Sequence, residues 1–291
     1  MKQAELVYDG KAILAEGPVW DDRESMLYWI DIHGKAIHIY NPESKRDQII
    51  HTGQKIGAIS LMEKEGLIAA MENGLYKIDL QTEEKSFITD PEKEKPDNRF
   101  NDGKCDPKGR FLAGTMQKEG QGTTGALYSL DEHQNVRKLL DEAGISNGLA
   151  WNQSGDTFYY IDTPTQKVAA FDYDLASGNL SNKRTVIEIP EEEGHPDGMT
   201  IDAEGNLWIA HFNGSRVSRW NPDTGEKLEE VHLPVSQVTC CTFGGKDLDE
   251  LYITTGRENL EGEELAKQPL AGAIFKYKTD TKGVKSNRYK G

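Results

Sequence analysis

The stretch SNGLAWNQSGDTFYYIDTPTQKVAAFDYDLASGNLSNKRTVIEI, residues 146–189, decides the fold because it holds one complete copy of a repeated unit. It contains four short segments rich in β-branched and aromatic residues, and each is bounded by Gly, Asp, Asn or Pro. Segments of this kind are typical of β-strands joined by short turns. The stretch therefore predicts four consecutive strands.

The same succession of segments occurs six times at a spacing of about 40 to 50 residues, which is typical of propellers and other repeat folds. The segments that open the units read EGPVWDD, IGAISLM, DGKCDPK, NGLAWNQ, DGMTIDA and TCCTFGG. The second segments read MLYWIDIHG, GLIAAMENG, RFLAGTMQK, TFYYIDTPT, NLWIAHFNG and ELYITTGRE. A third, alternating segment then ends in a polar turn. Six units of this kind predict six equivalent sheets.

The fourth, outer segment is present in five units and missing from the sixth. The N-terminal stretch AELVYDG, residues 4–10, precedes the first unit and has no partner of its own. If it completes the last sheet, the ring closes and leaves only short edges. The sequence therefore predicts an all-β chain whose residues 1–291 form one domain, a six-bladed β-propeller of four-stranded blades. Two β-sandwich domains are the alternative, but they leave the sixfold repeat unexplained.

Composition and charge exclude several classes of protein. The chain has 291 residues, a net charge of −15 and a pI near 5.0, a balance that repels nucleic acid and anionic membranes. It has no apolar run long enough to span a bilayer and no signal-peptide pattern at its start. Three cysteines do not make a disulfide framework. We expect a soluble cytoplasmic protein, a monomer or weak dimer, that acts on a small molecule.

The first strand of each blade lines the central channel of a propeller, so equivalent residues at its start meet at one mouth. These positions are Glu16, Ile56, Asp102, Asn147, Asp197 and Thr239. Four of them carry a carboxylate or amide oxygen. Several carboxylates packed together are unfavourable unless a cation or proton lies between them. The set Glu16, Asn147 and Asp197, with oxygen donors only, suits a hard divalent ion such as Ca²⁺ or Mg²⁺.

A second pattern overlaps this set. Residues 144–148, GISNG, match the G-x-S-x-G pattern of the serine hydrolase nucleophile elbow. An elbow serine lies on a turn between a strand and a helix, with a histidine and an acid behind it. The chain after Gly148 instead reads as strand, turn and strand. We therefore interpret Ser146 as a bystander and Asn147 as the functional residue.

Four motifs together resemble the regucalcin/gluconolactonase family, which also includes luciferin-regenerating proteins. They are AEGPVW, RFNDGKCDPKGRFLAGTM, SNGLAW and HPDGMTID, and they occur in order along nearly the whole chain. The resemblance implies a six-bladed propeller that binds one divalent metal ion and hydrolyses lactones. By the same resemblance the metal ligands fall on Glu16, Asn147 and Asp197. Ca²⁺ is the first expectation, with Zn²⁺, Mg²⁺ or Mn²⁺ as alternatives.

The resemblance also implies the residues that contact the substrate. Arg99 and Asn101, in NRFND, match the substrate-contacting pair of the family, and Glu119 matches a third contact in a loop that varies between members. Asp102 would be an auxiliary group. The segment 117–125, QKEGQGTTG, would act as a lid over the mouth. His195 is a weaker candidate ligand, and a role in shaping the mouth is the simpler interpretation.

These parts imply hydrolysis of a small sugar lactone. The metal ion would polarise the lactone carbonyl, and Asp197 would combine ligation with the role of general base. Arg99 would orient the substrate through its fixed fork of donors. Three alternatives stay open: a calcium-binding regulator without catalysis, an interaction scaffold, and a hydrolase of other lactones, esters or phosphotriesters.

Overall fold

The computed structural model of the chain describes residues 2–291. Within this range the strands form six sheets, and the first strand of each sheet contacts the first strands of the two neighbouring sheets. The inner strands therefore follow one another around a closed ring. The predicted six-bladed β-propeller is confirmed.

The strands of the first three blades have the following bounds. Two short N-terminal strands come first, β1 Lys2–Gln3 and β2 Glu5–Tyr8. Blade 1 contains β3 Ala15–Asp21, β4 Met26–Asp31, β5 Ala36–Asn41 and β6 Arg46–His51. Blade 2 contains β7 Ile56–Leu61, β8 Leu67–Met71, β9 Gly74–Ile78 and β10 Lys85–Thr89. Blade 3 contains β11 Asn98–Cys105, β12 Phe111–Gln117, β13 Gly125–Leu130 and β14 Val136–Ala143.

The remaining blades continue in the same order. Blade 4 contains β15 Ser146–Trp151, β16 Thr157–Asp162, β17 Lys167–Asp174 and β18 Asn179–Glu188. Blade 5 contains β19 His195–Ile201, β20 Leu207–Phe212, β21 Arg216–Asn221 and β22 Glu226–His232. Blade 6 contains β23 Val238–Gly244, β24 Glu250–Thr255 and β25 Ile274–Lys278. A short helix, α1 Gly262–Lys267, lies between β24 and β25, and no helix within residues 2–291 is long and apolar enough to cross a membrane.

The N-terminus closes the ring as the repeat predicts, with one addition. Strand β2 pairs antiparallel with β25, so that Leu6 lies opposite Phe275 and the sixth blade gains its fourth strand. Strand β1 pairs in parallel with β22, which gives blade 5 a fifth strand that the sequence did not predict. The N-terminal segment thus links blades 5 and 6 before the chain forms blade 1. Strand β1 also covers part of the open edge of blade 5.

The apolar core is divided among the blade interfaces. The structure contains six clusters of buried apolar side chains, and each cluster lies mainly between two neighbouring blades. The two largest fully buried side chains are Trp29 and Trp208, as expected for tryptophans within strands. Because each blade packs on two neighbours, the ring holds the inner strands at fixed positions around the channel.

The C-terminal residues cross the opposite face from the mouth and contact several blades. The backbone N–H of Tyr289 donates to Leu61 O at 2.8 Å in blade 2, and the N–H of Lys290 donates to Gly109 O at 3.1 Å in blade 3. The half-buried Arg288 donates through Nη2 to Asp21 Oδ1 at 2.5 Å in blade 1. This tail, which the strand pattern does not predict, adds a second connection across the ring.

Candidate metal and substrate site

Every inner strand has a β-bulge near its start, at the positions that the sequence repeats align. The register shifts fall between Glu16/Val19, Ile56/Ala58, Phe100/Gly103, Asn147/Leu149, Pro196/Met199 and Val238/Cys240. A bulge leaves one residue outside the regular pairing and redirects its side chain. The repeated motif therefore encodes a local distortion in each blade, and four of these distortions carry a carboxylate or amide oxygen.

The glycine after the bulged residue is required by the close approach of a neighbouring strand, in the same blade or in the adjacent one. A Cβ on Gly148 would lie 2.8 Å from the Asp197 backbone oxygen, and a Cβ on Gly103 would lie 2.8 Å from Leu112 O. A Cβ on Gly198 would overlap the Cys240 side chain. Real side chains do not pack at such distances, so these positions admit only glycine while the inner strands stay this close.

Three acidic side chains are buried at the mouth. Glu16, Asp102 and Asp197 are 8%, 7% and 7% exposed. Burial raises the pKa of Glu16 well above its usual value, and the charges of Asp197 and Asp102 raise it further. Burial also raises the pKa of Asp197, with a smaller contribution from Asp102, although a hydrogen bond from Asn147 opposes the rise. The anionic forms of these groups are thus unfavourable without a cation nearby.

The Asn147 side chain connects blades 4 and 5. Its Nδ2 donates to Asp197 Oδ1 and also to Thr163 Oγ1 at 3.1 Å, while its Oδ1 accepts from the Gly148 N–H at 3.1 Å. Thr163 in turn donates to the Pro196 backbone oxygen at 2.9 Å. These bonds hold the two predicted ligands, Asn147 and Asp197, against each other.

Arg99 and Asn101 lie beside this group on the bulged part of β11. The Arg99 side chain is 6% exposed, and its Nη1 donates to Phe100 O and to Asn101 Oδ1, both at 2.9 Å. Asn101 donates through Nδ2 to the Ser146 backbone oxygen at 3.1 Å. The buried Nε of Arg99 has no hydrogen-bond partner within residues 2–291. Burial lowers the pKa of Arg99, and nearby acidic groups, first Glu258 and then Glu16, oppose this. The guanidinium therefore keeps donor capacity for a ligand.

The donor set fits one hard divalent cation. Glu16 and Asp197 are buried carboxylates, and Asn147 supplies a neutral oxygen, so the set is all oxygen with a formal charge of −2. Ligation through Asn147 Oδ1 needs a half-turn of the amide about its Cβ–Cγ bond, because its nitrogen now faces Asp197. Within residues 2–291, no three Asp, Glu, His or Cys side chains are grouped as a metal site. The charge of Asp102 nevertheless raises the pKa of both Glu16 and Asp197.

Two predicted contributors, Glu119 and His195, have exposed side chains. The Glu119 side chain is exposed and has no hydrogen bond or ion pair in the described chain, although its backbone N–H donates to Gln117 Oε1 at 2.7 Å. His195 is also exposed, and its Nδ1 lies 3.1 Å from Gln166 Oε1. The proposed lid is held at one end, where Thr124 donates to Asn98 Oδ1 at 2.7 Å. A substrate role for Glu119 stays a prediction.

Ser146 lacks the geometry of a nucleophile. Its side chain is completely buried, and its Oγ accepts a hydrogen bond from Tyr160 at 2.8 Å. Ser146 is the first residue of strand β15, which follows β14 and leads into β16, so it does not lie between a strand and a helix. An elbow serine must be accessible and must have a histidine as its partner. The structure agrees with the interpretation of Ser146 as a bystander.

A second set of polar residues lies around Glu16, Asn147 and Asp197, and the repeat of the inner strands does not predict it. The residues that follow the second strand of each blade lie at the same mouth, because the first two strands are antiparallel. His33 Nε2 lies 2.8 Å from Glu258 Oε1 across blades 1 and 6, and Lys118 Nζ lies 2.8 Å from Glu72 Oε1 across blades 3 and 2. All four residues occur near the ends of second repeat segments, in DIHG, AMENG, TMQK and TTGRE, so an alignment of these ends identifies them.

Comparison with known proteins identifies the family of the chain. Residues 14–257 match the family model described as SMP-30/Gluconolactonase/LRE-like region. The chain is 40% identical over 288 residues to a Bacillus subtilis protein named as the sugar lactone lactonase YvrE, covering 99% of both chains. It is 40% identical to regucalcin from Oryctolagus cuniculus over 282 residues, covering 95% of this chain and 94% of the relative.

A solved structure agrees with the sequence relatives. The chain superposes with a TM-score of 0.95 on a calcium-binding protein, regucalcin, from Agrobacterium tumefaciens, at 25% identity and with coverage of 100% and 98% of the two chains. The family match spans all six bulged positions, since they lie between residues 14 and 257. On this evidence the chain belongs to the SMP-30/gluconolactonase/LRE-like family.

Proposed function

We propose that the protein is a divalent-metal-dependent hydrolase that opens small sugar lactones. The observation that carries the proposal is the placement of two buried carboxylates, Glu16 and Asp197, beside a buried guanidinium with a free donor, Arg99. The name of the Bacillus relative, a sugar lactone lactonase, supports the same class of substrate. A site that binds only a hydrated cation has no use for the donors of Arg99 and Asn101 at its edge, whereas a site that also binds a substrate does.

Glu16, Asn147 and Asp197 would hold the ion, with Ca²⁺ as the first choice and Zn²⁺, Mg²⁺ or Mn²⁺ as alternatives. The ion, when bound, would supply a Lewis acid that stabilises negative charge on the lactone carbonyl oxygen. Two carboxylates whose burial raises their pKa values suit this task, because a cation offsets the cost of keeping both ionised. The regucalcin name of several relatives favours calcium.

Three residues of the chain would bind the substrate and transfer the proton. Arg99 donates to substrate oxygens and fixes the ring, and Asn101 shapes the same side of the pocket. Asp197 accepts a proton from the attacking water while the oxygen of that water bonds to the carbonyl carbon. The bond from the carbonyl carbon to the ring oxygen then breaks, and Asp197 returns the proton to the departing oxygen. One lactone and one water give one hydroxy acid.

Hydrolysis of glucono-δ-lactone, corrected for its spontaneous rate, tests this proposal. We expect turnover that EDTA abolishes and added divalent ions restore, and a loss of about 100-fold or more in Asp197→Ala. Glu204→Ala, at an exposed acidic residue of the same blade, is the matched control. Turnover that survives complete metal removal, or full activity in Asp197→Ala, would contradict the proposal. Tight metal binding with no turnover would instead favour a calcium-binding regulator.

A further inference from the structure

The contact between His33 and Glu258 lies at the mouth of the candidate site rather than on the outer wall. Leu14, two residues before Glu16, forms a bridge with Gly256, two residues before Glu258. His33 follows strand β4, whose last residue Asp31 pairs with Ala15. Both members of the pair are thus tied by backbone pairing to the start of the strand that carries Glu16.

The backbone around Glu258 is fixed while its carboxylate stays available. The Gln237 side-chain amide donates to the Glu258 backbone oxygen at 2.7 Å, and the Arg257 N–H donates to Ile13 O at 2.9 Å. The Glu258 side chain is 33% exposed, and His33 occupies only one of its oxygens, Oε1. Within residues 2–291, the other oxygen, Oε2, makes no hydrogen bond to the protein. One oxygen is therefore held and the other is free to accept.

Open space lies next to this carboxylate. Glu258 lines a cleft of about 520 Å³ between the loops of blades 5 and 6, together with Asn213, Gln237 and Gln268. The cleft lies on the same face as the buried site, because Asn213 directly follows strand β20 at the end where β19 begins. A substrate group that extends beyond the buried site can enter this cleft beside Glu258.

The charges agree with this placement. Burial lowers the pKa of Arg99, and the negative charge of Glu258 raises it more than any other acidic residue does. The hydrogen bond from His33 is the main cause of the lowered pKa of Glu258, so the carboxylate stays ionised at neutral pH. Arg99 provides donors and no acceptor, whereas an ionised Glu258 provides acceptors only. The two residues therefore offer complementary partners to a ligand that carries both oxygen acceptors and hydroxyl donors.

We propose that Glu258, oriented by His33, is a specificity-determining residue that accepts a hydrogen bond from a hydroxyl group of the lactone. This inference rests on the proposed lactonase function and names the substrate class as polyhydroxylated lactones. Arg99 holds the oxygens near the reacting ester, and Glu258 selects for a hydroxyl at the far side of the ring or on its side arm. His33 is a positioning residue, since it acts through Glu258.

The test compares two δ-lactones that differ in their hydroxyl groups. Glucono-δ-lactone carries hydroxyls, and δ-valerolactone has the same ring size and none. We expect Glu258→Ala to lower kcat/KM for glucono-δ-lactone by about 10- to 100-fold, mainly through KM, and to change kcat/KM for δ-valerolactone by less than about twofold. His33→Gln should give a smaller change of the same kind. Glu263→Gln, at an exposed acid in the same loop, is the control.

The outcomes separate this inference from the function it rests on. If wild type opens neither lactone, the proposed function fails and the inference fails with it. If wild type opens both and Glu258→Ala lowers both equally, or lowers neither, only the inference is overturned. Thermal unfolding of each variant identifies a purely structural role, in which stability falls and both substrates are affected alike. A selective loss for the hydroxylated lactone at unchanged stability supports the inference.

Discussion

Gly57 shows how a residue without a functional group controls the position of residues that have one. It follows Ile56, the bulged residue of blade 2, which has no metal-binding oxygen. A Cβ at Gly57 would lie 2.5 Å from the Phe100 carbonyl carbon and 2.6 Å from the Asn101 backbone oxygen. Blade 2 thus contributes to the site through the absence of a side chain, which lets β11 approach closely.

We expect Gly57→Ala to damage both stability and activity. The added methyl group must push β11 outward, which costs about 1–3 kcal/mol of unfolding free energy and moves Arg99 and Asn101. A shift of this kind lowers kcat/KM for a lactone by about tenfold or more. Urea unfolding and lactone turnover measure the two effects.

Gly256→Ala is the control for this substitution. Its added Cβ would meet the ends of two side chains, Leu14 Cδ1 at 2.8 Å and Gln237 Oε1 at 2.9 Å, rather than fixed backbone atoms. We expect it to lower the unfolding free energy by less than Gly57→Ala does, because the ends of side chains can move aside whereas the backbone of β11 cannot. Equal effects of the two substitutions would show that backbone crowding at Gly57 does not position the site.

At the scale of single elements, β20 and β21 share a buried polar network. The Trp220 indole N–H donates to Ser218 Oγ at 2.5 Å, and Ser218 Oγ lies 2.5 Å from His211 Nε2. His211 Nδ1 lies 3.0 Å from the Glu193 backbone oxygen. Donors and acceptors match when Nδ1 carries the proton and Nε2 accepts from Ser218. This arrangement needs a neutral imidazole.

Burial lowers the pKa of His211 from 6.5 to about 4, which predicts a pH-dependent stability. Between these values the unfolded chain binds a proton that the folded chain does not. Stability from this group is therefore fully present above pH 6.5 and is lost as the pH falls toward 4, by about 3 kcal/mol at most.

The measurement is urea unfolding at several pH values, with His211→Gln as the control because glutamine does not titrate. Wild type should lose more unfolding free energy than the variant between pH 6.5 and 4, so the two curves should converge at low pH. Parallel curves would show that His211 does not take up a proton on unfolding in this range.

The elements also show which parts of the fold a sequence pattern can predict. Strands such as β16 and β20 have strong aromatic or alternating patterns and polar turns on both sides, and their existence follows from local sequence. Strand β1 has two residues, and its pairing with β22 depends on the closed ring rather than on its own composition. The C-terminal tail lacks a strand pattern because its bonds run to separate turns of several blades.

At the scale of the whole molecule, the candidate site exists only because the ring closes. Glu16, Asn147 and Asp197 belong to blades 1, 4 and 5, and Arg99 belongs to blade 3. The repeats predict that equivalent residues meet at one mouth, and the structure places Asn147 against Asp197. The sequence could not reveal Glu258 and His33 as a pair, because their contact depends on how the loops of blades 6 and 1 pack.

The ring also explains the acidity of the mouth. Three buried carboxylates from blades 1, 3 and 5 face a channel that contains few basic groups, of which Lys104 donates to the Met199 backbone oxygen at 2.7 Å. Each blade is stabilised by its own interfaces, so the ring tolerates unfavourable charge at its centre. A bound cation would offset this charge and would be expected to stabilise the folded chain.

The most direct test of the central claim is a crystal structure of the protein with a divalent cation and gluconate, the ring-opened product. The account predicts one ion within about 2.6 Å of an oxygen atom from each of Glu16, Asn147 and Asp197. It also predicts gluconate oxygens on Arg99 and Asn101. An ion bound elsewhere, or an ion at the mouth that leaves Asn147 and Asp197 in direct hydrogen-bond contact, would contradict the account.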